Sequence, residues 1–193
     1  MAAMMAAIDS GILQTLYGTR GDGLTAIFLF LSAIGETEVM LLVTALVGAL
    51  LFFWLKQRLV GIGLLTTMII STAITYVLKH LVARTRPDLL YQAYVETGFS
   101  FPSGHSSAAA AFGGFFAYIA WKKMSPGPRR IAVVALAAVY VFLMAVGRMY
   151  LGVHYFSDVM AGLAIGVFAA FVGTIVFDKL TNRAASRGAP SAQ

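Results

Sequence analysis

Five charge-free apolar runs alternate with polar turns: residues 39–55, 59–78, 106–121, 131–147 and 159–177. A helix needs about 20 residues, and at least about 17, to cross the hydrocarbon core. The runs meet that length, the third when it is started at Ser103. Helix is the form that satisfies backbone groups inside lipid. Residues 4–17 differ: Met5, Ile8, Ile12, Leu13 and Leu16 fall near helical spacing, but Asp9, Ser10 and Gln14 interrupt them. That pattern predicts an interfacial helix. Residues 24–34 are apolar but short, and are expected to dip into the bilayer or to extend the first span outward. The expected fold class is all-α: a polytopic membrane helical bundle of five, or six, transmembrane helices with an N-terminal interfacial helix. Spans are placed at about 39–55, 59–80, 103–122, 131–148 and 157–177, in one domain over residues 1–180. Residues 181–193 are small, polar and basic, and are read as a disordered tail.

Composition supports the membrane reading. The 193 residues are 60% hydrophobic and 11% charged, whereas soluble domains are about 45–50% apolar and about 25% charged. The absence of cysteine excludes disulfides, iron–sulfur clusters and thiolate zinc sites. A net charge of +6 would suit nucleic acid, but the basic residues sit at the ends of apolar runs and no binding motif accompanies them. The expected partners are the bilayer and a substrate in it, with no nucleic acid; the sequence sets no oligomeric state. Lys56, Arg58, Lys122, Lys123, Arg129, Arg130, Lys179, Arg183 and Arg187 all fall on one side, which the positive-inside rule makes cytoplasmic, together with the C-terminus. The opposite side holds Glu36, Glu38, Asp88 and Glu96. It also holds Lys79, Arg84, Arg86 and Arg148, which that rule does not explain.

Three stretches meet on that outer side: KHLVARTRP at 79–87, PSGH at 102–105, and GRMYLGVHYFSD at 147–158. Lys79 and Arg86 lie about two helical turns apart and share a face if helix persists. Pro87 disfavours helix just before it, so the helix is expected to end near Arg86. His154 and Asp158 are neighbours on one turn. A break near Gly152 would let Arg148 and His154 both point inward. Guanidinium forks match phosphate oxygens. Ser103 can cap a helix, and Gly104 permits close approach of its N–H groups to an anion. His105 and His154 add acid–base and nucleophilic capacity, and Asp158 can orient His154. No carboxylate or histidine cluster is spaced for a metal, and no cofactor is implied. The set reads as metal-independent phosphoryl transfer through a histidine.

With these motifs the chain resembles the type 2 phosphatidic acid phosphatase superfamily of membrane lipid phosphatases. The family pattern K-x6-R-P, P-S-G-H and S-R-x5-H-x3-D reads here as Lys79 with Arg86–Pro87, Pro102 to His105, and Arg148 with His154 and Asp158. The resemblance implies that His154 attacks phosphorus, Asp158 orients it and His105 protonates the leaving oxygen. It implies that Lys79, Arg86, Ser103, Gly104 and Arg148 hold the phosphate. Gly147 departs from the family serine, so a hydroxyl donor is lost and some loss of phosphate affinity is expected. The short, five-span frame resembles the bacterial undecaprenyl pyrophosphate phosphatases, although that subgroup often has aspartate where Gly104 stands. Undecaprenyl pyrophosphate, phosphatidylglycerophosphate and phosphatidate are the candidate substrates. The expected location is the cell (inner) membrane, with the active site on the periplasmic or extracellular face.

Blander readings accompany several residues. Lys79 could snorkel at a helix end, and Arg84, off the motif, reads as solvated or headgroup-facing. His80 reads as facing headgroups. Trp54, Tyr76, Trp121 and Tyr150 read as interfacial aromatics. Gly162 and Gly166 suit helix packing within the bundle as well as dimerisation. Two rival functions remain: a phosphotransferase that passes the phosphoryl group to a lipid or sugar, and a non-enzymatic scramblase or channel lined by the same charges.

Overall fold

The computed structural model describes residues 2–188. Seven α-helices follow one another: α1 (Ala2–Gly18), α2 (Asp22–Ile34), α3 (Thr37–Ala49), α4 (Arg58–Val82), α5 (Gly104–Lys123), α6 (Pro128–Tyr150) and α7 (Phe156–Gly188). A π-helical turn, Leu50–Trp54, prolongs α3. The first apolar run spans α3 and its π turn and each of the other four lies in one helix; the bundle is all-helical, as the apolar runs predict. The α3 helix with its π turn, α4, α6 and α7 are long and apolar enough to cross a membrane. Their outer faces carry Phe53, Ile69, Leu136 and Phe168, exposed to the surroundings as lipid-facing side chains are. The protein is an integral membrane protein.

The α5 helix is less apolar than those four because it is the centre of the bundle. It packs against α4, α6 and α7, and its buried positions are largely Ala, Gly, Ser and His. Helices in lipid associate through close packing and interhelical hydrogen bonds, so small residues favour contact. Gly162 and Gly166 provide that contact on α7. A Cβ on Gly166 would come within 2.4 Å of the Ser107 carbonyl oxygen, and one on Gly162 within 2.5 Å of that of Ser103. Both glycines therefore serve packing inside the bundle. A buried hydroxyl cluster joins α4 to α5: Ser71 and Thr75 hydrogen-bond the Ser107 hydroxyl at 2.7 and 3.0 Å.

Four expectations are corrected. The α4 helix ends at Val82, not near Arg86, because Ala83 turns left-handed (φ 48°, ψ 38°) ahead of Pro87. The α7 helix runs through Gly188, so residues 181–188 of the supposed tail are helical; residues 189–193 lie outside the described residues. Tyr150 is buried rather than interfacial. Its ring packs on Phe28, and its hydroxyl accepts from the Gly21 amide at 2.9 Å. The fourth concerns Arg84, below. Residues 24–34 fall within α2, a separate helix of 13 residues. At about 1.5 Å per residue it is too short to cross the core, and it packs against α6.

Candidate active site

The C-terminal ends of α4 and α6 and the N-terminal ends of α5 and α7 meet at one end of the bundle, and the loop between α4 and α5 closes over them. A cavity of about 310 Å³ opens there, lined by Lys79, Arg86, Glu96, Gly104, His105 and His154 among others. Ser103 caps α5 and accepts from the Ser106 amide at 3.4 Å. Its side chain is buried, with the hydroxyl also accepting from Ser106 Oγ at 3.0 Å, so it does not line the cavity. Gly104 does. A Cβ there would meet only Thr75 Cγ2, at 3.9 Å, so the glycine keeps the floor open rather than avoiding a clash.

Gly152, at φ 69°, breaks the chain between α6 and α7. The break places His154 on the cavity wall, while Arg148 lies buried behind it. Arg86 Nη1 donates to the Val153 carbonyl at 2.9 Å and lies 3.3 Å from His154 Nε2. The opposite ring nitrogen, Nδ1, is 3.7 Å from Asp158 Oδ2 and 3.4 Å from the Ser100 hydroxyl, which itself donates to Asp158. Asp158 Oδ2 also accepts from the Tyr155 amide at 2.9 Å, closing the first turn of α7. This arrangement fits the tautomer with the proton on Nδ1, leaving the Nε2 lone pair toward Arg86 and the cavity. Burial pushes the His154 imidazole down to about 4; Arg148 and Arg86 push the same way, against Asp158.

His105 Nε2 lies 3.1 Å from the Ser32 carbonyl and 3.8 Å from Glu36. The end of α2 therefore holds the second histidine. Gly35 makes room for it, since a Cβ there would reach 2.7 Å from the ring. Lys79 Nζ donates to the Phe99 carbonyl at 2.5 Å.

Arg148 is buried beneath two loop side chains. It donates to Tyr94 Oη at 2.7 Å, to Glu96 at 2.6 Å and to the Ser32 hydroxyl, while its Nε has no partner among the described residues. The Glu96 carboxylate also lies 3.5 Å from Arg86. An acidic side chain thus bridges two of the three cations expected to hold phosphate. Burial alone would raise the Glu96 carboxyl, but Arg148, Tyr94 and Arg86 hold it at about 2. Gly147 faces Phe28, whose Cδ1 would lie 2.8 Å from an added Cβ, so Phe28 occupies the space a serine would use.

Arg84 is not headgroup-facing. It pairs with Asp158 at 2.6 Å and with Asp9 of α1 at 2.8 Å. Spacing singled out His154, His105, Asp158, Lys79, Arg86, Gly104 and Arg148, and the fold brings these residues to one end of the bundle. Spacing missed Asp9, Ser32, Glu96 and Ser100, and it misread Arg84. The one available signal was that Arg84 was left unexplained by the positive-inside rule. Among the described residues, no three His, Asp or Glu side chains gather as a metal site.

A family model described as PAP2 superfamily matches residues 60–182. The chain belongs to the PAP2 superfamily. It is 30% identical over 167 residues to phosphatidylglycerophosphatase B of Bacillus subtilis, covering 85% of this chain and 80% of that protein. It is 31% identical over 177 residues to decaprenylphosphoryl-5-phosphoribose phosphatase of Mycobacterium tuberculosis, covering 90% and 87%. The crystal structure of a transmembrane PAP2-type phosphatidylglycerolphosphate phosphatase from Bacillus subtilis superposes with a TM-score of 0.81 at 29% identity, covering 93% of this chain and 88% of that one. This PAP2 chain is accordingly a membrane phosphatase, and its bundle is the frame of that family.

Proposed function

We propose that this PAP2 protein hydrolyses the terminal phosphate of a lipid phosphate or pyrophosphate through a phosphohistidine on His154. The observation that carries the reading is His154 itself: a buried imidazole with one nitrogen turned to a Ser100–Asp158 pair and the other to Arg86 and the cavity. Held neutral near pH 7, it keeps its lone pair for attack. In the first step Nε2 forms a bond to phosphorus while the bond to the lipid oxygen breaks, and that oxygen takes a proton from His105. In the second, water attacks phosphorus and the N–P bond breaks, giving inorganic phosphate. His105 accepts the water's proton and is ready again. Lys79, Arg86 and Arg148 stabilise charge spread over the equatorial oxygens, with the N-terminus of α5 at Gly104 beside them. No metal takes part in this scheme.

The tail path follows from two apolar spaces. One, of about 130 Å³, shares Lys79 and Gly104 with the cavity and runs past Thr72 and Met68. It continues into a groove of about 500 Å³ between α3 and α4, past Leu41, Leu65 and Tyr76. A lipid with its phosphate at Lys79 would lay its chain there. Relatives named for phosphatidylglycerophosphate, decaprenylphosphoryl-5-phosphoribose and undecaprenyl diphosphate keep the substrate class to lipid phosphates. The charge pattern supports a site on the outer face of a cell membrane, with the C-terminus cytoplasmic.

The test is phosphate release in detergent, with chelator, over undecaprenyl pyrophosphate, phosphatidylglycerophosphate and phosphatidate. Turnover should persist under chelator, and His154→Ala should abolish it in protein that remains monodisperse. Phosphate release by folded His154→Ala would sink the nucleophile assignment. Phosphate transferred to an added lipid acceptor instead of water would make the protein a transferase.

A further inference from the structure

Arg84 belongs to no motif, yet it holds the carboxylate behind the proposed nucleophile. The left-handed Ala83 ends α4 and turns the chain. The Arg84 guanidinium then lies over the Tyr155 ring, 4.1 Å from its centroid. Nη1 donates to Asp158 Oδ1 at 2.6 Å and to Ser157 Oγ at 2.7 Å; Nη2 donates to Asp9 Oδ2 at 2.8 Å. Asp9 is itself 2% exposed, and it accepts from the Ser157 amide at 2.9 Å and the Ser157 hydroxyl at 2.6 Å. The Arg84 carbonyl accepts from the Ser100 amide at 2.8 Å. One residue therefore grips both partners of His154 Nδ1, Asp158 by its side chain and Ser100 by its backbone.

We propose that Arg84, anchored by Asp9 of α1, is a positioning residue that fixes Asp158 and Ser100 so that both face His154. A carboxylate with one free oxygen can swivel about its last torsion, which is broad. Occupying Oδ1 with one arm of the guanidinium fork leaves Oδ2 toward His154 and Ser100. The second carboxylate matters electrostatically. Arg84 paired with Asp158 alone would cancel the charge that stabilises a cationic imidazole. Asp9 shares the guanidinium, so the three groups sum to one negative charge, which the imidazole balances when it becomes cationic. This makes α1 part of the catalytic frame, although it contributes nothing to the cavity wall. The inference rests on His154 being the nucleophile.

The test uses full-length protein in detergent and whichever of phosphatidylglycerophosphate, phosphatidate and undecaprenyl pyrophosphate is turned over fastest. Arg84→Gln should lower kcat about 10–100-fold, by analogy with partners that orient metal-ligating side chains, with KM within about twofold. Arg84→Lys should recover part of that loss, because an ammonium restores the charge but not the fork. Asp9→Asn should lower kcat less, and should add nothing on the Arg84→Gln background. If Arg84→Gln does not fold, Arg84→Lys and Asp9→Asn carry the test: both must lose kcat at unchanged KM. Wild-type kcat in a folded Arg84→Gln protein, or losses in Arg84→Lys and Asp9→Asn that only track the folded fraction, would overturn the inference. His154→Ala separates the two claims. Its inactivity alongside normal Arg84→Gln kinetics rejects positioning by Arg84 alone, whereas its activity rejects the phosphohistidine reading.

Discussion

At the scale of single residues, the site holds an anion of its own. Glu96 lies between Arg148 and Arg86, and with Tyr94 it covers the Arg148 guanidinium. Charge-assisted hydrogen bonds of this kind are roughly twice as strong as neutral ones. They hold the two guanidinium groups in place, and under the proposed function a substrate phosphate must displace them to reach the same nitrogens. Glu96→Gln separates the two effects. Without substrate, the variant should lose about 2 kcal/mol of stability, the worth of a hydrogen bond to a charged group. Orthovanadate or phosphate should return more of that loss than it adds to the wild type, because bound ligand stabilises by mass action. KM should fall about three- to tenfold. Thermal unfolding with and without phosphate, read beside the KM, checks both signs; an unchanged KM would mean that Glu96 does not contest the phosphate site.

At the scale of elements, α2 is the helix whose position the hydrophobic pattern left open, and it is the one that shapes the site from behind. Its end holds His105 through the Ser32 carbonyl, and its Phe28 fills the space beside Gly147. The family serine at 147 therefore cannot simply be restored: the glycine and the phenylalanine fit together. Gly147→Ser alone should destabilise by about 1–3 kcal/mol through overpacking and lower kcat as α2 shifts against His105. Phe28→Val in the same chain should recover stability, and with it any gain the hydroxyl brings to phosphate affinity. Denaturation and KM of the single and double variants measure this. A Gly147→Ser protein as stable as the wild type would show that α2 yields freely. The contrast with the motif residues is physical. Lys79 lies near the end of α4, Asp158 in the first turn of α7 and His154 just ahead of it, at the ends of apolar runs that the sequence displays. Arg84, Glu96 and Ser100 lie in the loop between α4 and α5, which has no period. Their partners are distant: Arg84 bonds Asp9 and Asp158 across 75 and 74 residues, and only the fold brings such pairs together.

At the scale of the whole molecule, the bundle solves two problems with one arrangement. Small residues draw α7 onto α5, with a separate apolar groove of about 420 Å³ between α5, α6 and α7. On the other side, α3 and α4 stand apart enough to leave an apolar groove that joins the polar cavity at Lys79 and Gly104. The apolar runs predicted that these helices exist; the gap depends on how they lean, which hydropathy does not encode. Under the proposed function, a groove open to the bilayer would let the lipid chain stay in an apolar medium while its head enters a polar cavity. Each buried methylene is worth about 0.8 kcal/mol only when it leaves water, so a chain moving from lipid to groove gains little. The groove should accordingly set access more than affinity. Thr72 lines both apolar spaces, and Thr72→Trp should obstruct their junction. Turnover of a long-chain phosphatidate should fall about tenfold or more, while a small soluble ester such as para-nitrophenyl phosphate, which needs only the polar cavity, should react at the wild-type rate. Equal losses on both substrates would mean that the tryptophan has disturbed the site itself. Equal retention would mean that the lipid reaches His154 by another route.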